Sequence, residues 1–286
     1  MGNDPHKDDL LLNVIEYGEF ESNDHVSRVY EFKKLPQYDD IFKRFDLHKI
    51  AGGGDTLSKA LNIMQWVTNN SVYNGASPLC PTTSDKIIGF SFGKGDKGAI
   101  NCANKSILLS DALVYIGIFA APIAAYNIIL NPESPNFELW HSHVIVHVFL
   151  PETNRWIVLD PSFNTYAVGD EKRPLNIVEI TTALRNGKKI NTVVNGVGKL
   201  SDIGLNCLLI CPIDVEIWRG NDYSHRVGTF GWDATYCLLS DKYTERVKKA
   251  LQEGKLSGNV SKYLKSYLEK EKIYVNEFLA VPSWTI

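Results

Sequence analysis

The stretch that most constrains this chain runs from Gly98 to Pro122. A loop rich in glycine and charge, Phe92-Gly-Lys-Gly-Asp-Lys-Gly98, leads into Asn101, Cys102 and a long apolar run. The run is long enough for a helix of about four turns. Ile107, Leu108, Leu109, Ala112, Leu113, Val114, Ile116 and Ile118 leave it apolar on nearly every side, so the helix must be buried. Asn101 is a good N-cap, which sets Cys102 in or beside the first turn. Unpaired backbone N–H groups and the positive end of the helix dipole gather there, and both favour a thiolate over a thiol. The sequence therefore aims a cysteine out of its most buried helix.

Bulk properties set the frame for that cysteine. A chain of 286 residues can enclose a large core and fits one elaborated domain or two small ones. Its formal net charge of −3, with no basic block, gives no sign of a nucleic-acid surface, and no nucleic-acid partner is expected. No apolar run has the length of a membrane span, because the stretch 106–125 is broken by Asp111 and Pro122. The polar N-terminus lacks the apolar stretch of a signal peptide, and His6 stands where N-myristoylation wants Ser or Thr. A soluble, cytoplasmic protein is expected, unless a leader has been removed. Five cysteines (Cys80, Cys102, Cys207, Cys211 and Cys237) are an odd and sparse set, which argues against a disulfide scaffold. Cys207 and Cys211 lie in an apolar run with no matching Cys/His pair and read as buried core thiols.

Along the chain, residues 1–50 read as an irregular layer holding a strand or short helices. Gly52-Gly-Gly-Asp-Thr56 is a clear break, with Asp55 or Thr56 capping a helix in which Leu57, Ala60, Leu61, Met64 and Val67 follow 3.6-residue spacing. That helix ends near Asn69-Asn70. Residues 73–99 read as loop, the kind of segment that walls a reactive group. After the cysteine helix, residues 120–130 read as a strand and 131–135 as a turn. Strands 142–150 and 155–160, joined by Pro151-Glu-Thr-Asn154, make a β-hairpin that Asp160-Pro-Ser closes. Further on, a helix is expected over 177–185, buried strand over 205–217, and amphipathic helices over 242–251 and 260–270.

A thiolate nucleophile needs a base, and the base needs an acceptor to orient it. His143 near the start of one hairpin strand and Asp160 at the end of the other fall at the same end of the hairpin. Three histidines compete for the role of base. His141, His143 and His147 share one face of a strand, and His147 lies roughly 13 Å from His143 along it. Spacing favours the pair near the strand start and does not separate His141 from His143.

At these residues the chain resembles a known family. Asn101-Cys102 with its helix, His143-Val-Ile-Val-His-Val-Phe-Leu-Pro151 and Arg155-Trp-Ile-Val-Leu-Asp-Pro161 are similar to the motifs of the transglutaminase-like superfamily of papain-like thiol enzymes. Tyr115-Ile-Gly-Ile-Phe-Ala-Ala-Pro122 resembles that family's exit from the cysteine helix. The resemblance implies Cys102 as nucleophile, His143 as base and Asp160 as orienter. It also implies an α+β fold in which the buried cysteine helix packs on an antiparallel sheet. The organisation expected is a single elaborated domain over 1–286, with an N-terminal segment 1–54, a catalytic core 55–166 and a C-terminal extension 167–286 packed on the core. Some positions depart from the family pattern. The glycine usual just before the cysteine is displaced to Gly98, Ala103 follows where an aromatic or acidic residue is common, and His147 replaces a frequent acid.

The activity this implies is acyl transfer on a peptide or protein substrate, without a cofactor, with hydrolysis ahead of cross-linking because nothing marks an amine site or a calcium loop. Deamidation of the peptide N-glycanase type is a near relative. Three other readings compete: a thioester-dependent amide synthase, a peptide-binding module on the same fold, and a zinc site built from His141, His143 and Asp160 or Cys102. Gly93-x-Gly95-x-x-Gly98 only echoes a dinucleotide loop, since no suitable strand precedes it.

Overall fold

The computed structural model describes residues 22, 24, 31–32, 34–77, 83–128, 140–169, 171–186, 188, 190–195, 214–218, 234–237, 245, 248–249, 251–254, 271–272 and 275–284. Four short elements come first: β1 (Glu31–Phe32), α1 (Gln37–Phe42), a 3-10 turn (Lys43–Phe45) and α2 (Leu47–Ala51). Next are α3 (Thr56–Asn70), α4 (Ser84–Ser91), a second 3-10 turn (Gly95–Gly98) and α5 (Cys102–Tyr115). Strands β2 (Ala120–Ile128), β3 (Trp140–Leu150), β4 (Arg155–Asp160) and β5 (Thr165–Val168) follow, then α6 (Ile177–Arg185) and β6 (Asn191–Val194). The remaining elements are β7 (Asp214–Trp218), β8 (Ala234–Cys237), β9 (Glu271–Lys272), α7 (Val275–Phe278) and β10 (Ser283–Trp284).

The apolar run after Cys102 is α5, and every residue from Ala103 to Tyr115 is buried. Asn101 caps it: its side-chain oxygen accepts from the Asn104 N–H at 3.1 Å. The far end closes on Gly117, whose φ of 88° is the left-handed geometry that glycine tolerates. There Gly117 N–H donates to Val114 O and Ile118 N–H to Leu113 O, the paired bonds of a Schellman stop. Ile116 and Ile118 therefore lie beyond the helix. Mid-helix Asp111 is fully buried, and its carboxylate accepts from Tyr38 Oη at 2.9 Å and Ser84 Oγ at 2.7 Å. Those two bonds satisfy a buried acid and join α1 and α4 to α5.

Two elements beside α5 follow from local chemistry. Asp55 caps α3 by accepting from Ser58 N–H at 2.8 Å. Glu152, from the turn between β3 and β4, accepts from both the N–H and the hydroxyl of Thr56, at 2.8 and 2.7 Å, so the hairpin turn is tied to the start of α3. The reading of 73–99 as loop is corrected by α4, which buries Ile87 and Ile88. Gly89, Ser84 and Ser91 in and around it are weak helix formers, and packing overrides them. Gly98 is where this helix presses closest: a Cβ there would lie 2.5 Å from Phe90 O and 2.6 Å from Lys94 Cβ.

An eight-stranded sheet in the order β6-β5-β4-β3-β2-β7-β8-β9 lies against α5, antiparallel except for the parallel pair β8–β9. The expected α+β fold, a buried cysteine helix on an antiparallel sheet, is the fold observed. One core cluster joins Ile107, Leu108, Leu113 and their neighbours on α5 to Val146, Val148 and Leu150 of β3. A second joins Ile123, Ile145 and Val158 of the sheet to Ile177 and Ile180 of α6 and to Phe278 of α7. Residues 275–284 pack back over the hairpin: Trp156 Nε1 donates to Ala280 O at 2.9 Å, and Trp284 stacks on Phe119 at 4.5 Å. β10 also pairs in parallel with β1.

The helix expected over 177–185 and the hairpin strands stand where the sequence puts them, with β3 beginning earlier, at Trp140. The expected turn at 131–135, the helix over 260–270, Cys80, Cys207 and Cys211 lie outside the described residues. So do 205–213 of the expected buried run, whose last residues fall in β7. Among the described residues no helix is long and apolar enough to cross a membrane.

His147 is a buried member of β3, stacked between Trp156 (4.3 Å) and Phe278 (4.6 Å). Its Nε2 has no hydrogen-bond partner among the described residues. Burial pushes its pKa down to about 3 from the ordinary 6.5. Between those values the unfolded chain binds a proton that the folded chain refuses. Stability therefore falls as pH drops through that window, by up to about 1.4 kcal/mol per unit. Phenylalanine would fill the same slot and bind no proton. In urea titrations from pH 6.5 to 4, His147→Phe should gain steadily on the wild type. Parallel stability curves for the two would show that this imidazole is not a source of acid lability.

Candidate active site

Cys102 is the first residue of α5 and is partly exposed, with a free thiol. The first intrahelical bond runs from Lys105 N–H to Asn101 O, and the Asn104 N–H is taken by the Asn101 side chain. The N–H groups of Cys102 and Ala103 precede that ladder and point out of the helix end. One turn in, Ser106 Oγ donates to Val144 O at 2.9 Å and pins this end of the helix to β3 beside His143.

His143 is 4% exposed, and its Nε2 lies 2.8 Å from Asp160 Oδ2. The register explains the meeting. Val146 faces Leu159 across the hairpin, so Asp160, one step further, stands diagonal to His143. Asp160 is itself fully buried, and its other oxygen accepts from Ser162 N–H at 2.8 Å, so the carboxylate is held from two sides. Cys102 acts on the His143 ring as well, favouring its protonated form. With Nε2 engaged by Asp160, Nδ1 is the ring nitrogen left for sulfur. Burial would lower the His143 pKa, but the charge and hydrogen bond of Asp160, followed by those of Cys102, outweigh it and hold the imidazole well above its ordinary value.

The structure thus brings Cys102, His143 and Asp160 together from a helix start and two paired strands. His147 is set apart between its two aromatic rings, and the side chain of His141 lies outside the described residues. Among the described residues, no three His, Cys, Asp or Glu side chains are grouped as a metal site.

Two neighbours of the site were not singled out from the sequence. Phe163 lies 5.9 Å from the His143 ring and 5.0 Å from Tyr73, and the backbone of Tyr73 bridges to Ile100 just before the cysteine helix. These half-buried rings form a wall beside the imidazole, and nothing in their spacing marks them. The second neighbour is Lys105, 1% exposed on α5. Burial lowers its pKa to about 8 against the pull of Asp160. A lysine inside an otherwise apolar helix was the available signal.

Residues 46–161 match the model of the transglutaminase-like superfamily. The match holds Cys102, His143 and Asp160 together. No curated protein sequence matches the chain. A solved structure described as that of a candidate cysteine protease from Cytophaga hutchinsonii is similar at 19% identity and a TM-score of 0.33. That match covers 50% of this chain and 46% of the other, so it spans less than half of the neighbour's length.

Asp160→Asn should release His143. With the carboxylate charge gone, burial acts with less opposition, and the imidazole should titrate at a lower pH when followed by 15N NMR. An unchanged midpoint would mean that Asp160 does not set the charge of this ring.

Proposed function

We propose that the chain is a cysteine-dependent hydrolase of amide bonds in peptides or proteins, working through an acyl-enzyme on Cys102. The observation that carries this reading is a buried imidazole–carboxylate pair that is acted on by a free thiol at the start of a buried helix. The sulfur adds to the substrate carbonyl carbon, and the negative charge passes to the carbonyl oxygen, where the Cys102 N–H donates to it. His143 gives its Nδ1 proton to the departing amine as the C–N bond breaks, leaving a thioester. Water then attacks that thioester and yields a proton to Nδ1. The C–S bond breaks, and the acid leaves with thiolate and imidazolium restored. Asp160 keeps Nε2 bonded throughout, so the ring presents the same nitrogen in both halves.

Transfer to an amine in place of water would use the same acyl-enzyme. A panel of peptide amides and thioesters, with and without added amine, therefore separates hydrolase from transferase. We also infer that residues 167–286 complete the same domain, a reading supported by Phe278 and Ala280 packed against His147 and Trp156.

The decisive measurement is alkylation by iodoacetamide as a function of pH, read at each cysteine by mass spectrometry. Cys102 should react well below the pH at which a free thiol does, and His143→Ala should abolish that advantage. Cys102→Ser should lower kcat/KM on a responsive substrate by about 1,000-fold or more. If Cys102 is inert, or behaves like Cys80, the enzymatic reading falls and a peptide-binding module takes its place.

A further inference from the structure

The turn that follows Asp160 carries two contacts of the site. Ser162 N–H donates to Asp160 Oδ1 at 2.8 Å, and the Phe163 ring lies 5.9 Å from that of His143. Asn164, next along, is buried with a φ of 54°, a left-handed geometry that asparagine adopts more readily than most residues. Thr165 then enters β5, pairing with Asp160 on one side and with Val194 of β6 on the other. The shape of residues 161–164 therefore decides whether the second carboxylate oxygen finds its donor.

A pair of side-chain amides fixes that shape. Asn195, the residue after β6, donates its N–H to Asn164 O at 2.8 Å, which adds one rung to the β5–β6 ladder. Its Nδ2 donates to Leu61 O of α3 at 2.7 Å and to Asn164 Oδ1 at 3.3 Å. Asn164 Nδ2 in turn donates to Asn195 O and, at 2.9 Å, to Gln65 Oε1 of α3. Gln65 is itself oriented by donating from Nε2 to Asn69 Oδ1 at 2.7 Å. Each asparagine NH2 thus spends one proton on α3 and the other on its fellow asparagine. A set matched so fully holds one geometry, because a shift leaves part-buried donors unpaired.

We propose that Asn164 and Asn195 are positioning residues of the Cys102–His143–Asp160 site: their interlocked amides anchor the 161–164 turn to α3 and so keep Asp160 directed at His143. The inference rests on the enzymatic reading above and extends it to residues outside the three. When the turn loosens, the Ser162 N–H leaves Asp160 Oδ1. The carboxylate then turns toward another donor, and its bond to His143 Nε2 weakens. An imidazolium less firmly held stabilises the thiolate less.

The test is alkylation of Cys102 by iodoacetamide at pH 6 in Asn195→Ala, beside the proton NMR signals of Ser162 N–H and His143 Nε2–H. Alkylation should slow by about tenfold, and both signals should move upfield as their bonds to Asp160 weaken. Asn164→Gly deletes the same amide contacts while keeping the left-handed turn free of strain. It should act alike, and it answers the question should Asn195→Ala fail to fold. Tyr38→Phe removes a hydrogen bond to Asp111 further along α5; it should lower Tm and leave alkylation and both signals in place. Asparagine variants that lower Tm but change neither alkylation nor the signals overturn the proposal. So does an equal change in Tyr38→Phe, which would make the effect one of general loosening. A wild-type Cys102 that reacts as an ordinary thiol removes the enzymatic reading itself, and that result differs from a reactive Cys102 indifferent to the two asparagines.

Discussion

The hydrogen bond between His143 and Asp160 is the interaction on which the site depends. A carboxylate and an imidazolium each cost several kcal/mol to take out of water, and each is tolerable here because the other is 2.8 Å away. The pairing dictates much of the local structure. It requires the hairpin register that sets Asp160 diagonal to His143, and the turn that delivers the Ser162 N–H to the second carboxylate oxygen. It also requires a helix end docked close enough for sulfur to reach the remaining ring nitrogen, which the Ser106–Val144 bond secures. A slip of one residue in the hairpin would turn Asp160 to the opposite face and leave two buried charges without partners.

Asp111 and Asp160, both fully buried, have been satisfied in different ways. Asp111 receives hydroxyl protons from Tyr38 and Ser84, neutral donors that bring no charge of their own. Its result is mechanical: three helices held at fixed distances. Asp160 has a backbone N–H on one oxygen and an ionisable ring on the other, so its charge is passed on to a group that can exchange protons. Residue type is the same, burial is the same, and the partner decides between architecture and chemistry.

What was legible in the sequence followed from strong local signals. The Asn101 cap, the apolar helix, the four-residue hairpin turn and the alternation along β3 each imply their element without help from the rest of the chain. The order of cysteine, histidine and aspartate could then be laid on those elements. Helix α4 was hidden because its glycine and serines are weak helix formers, and its existence rests on Ile87 and Ile88 meeting the core. The choice of His143 over its neighbours needed the hairpin register, since alternation puts His141, His143 and His147 on a common face. Phe163 and Tyr73 come together through a turn and a single backbone bridge, contacts that leave no periodic trace. Lys105 was a charge inside an apolar helix, and the carboxylate that acts on it, Asp160, comes from another part of the chain.

The stacking of Phe278 on His147 bears on the order in which the molecule matures. The hairpin, the cysteine helix and the aspartate are all translated well before residue 278 leaves the ribosome. Until it does, the outer side of Trp156 and the ring of His147 lack their cover, and the Trp156 N–H lacks the Ala280 carbonyl. A nascent chain can therefore bring Cys102, His143 and Asp160 together while an aromatic surface behind them still faces water. Such a surface invites chaperones and nonspecific association alike. The segment 275–284 thus works as a late fastener: synthesis must run past residue 280 before the strand that holds His143 is sealed on both sides.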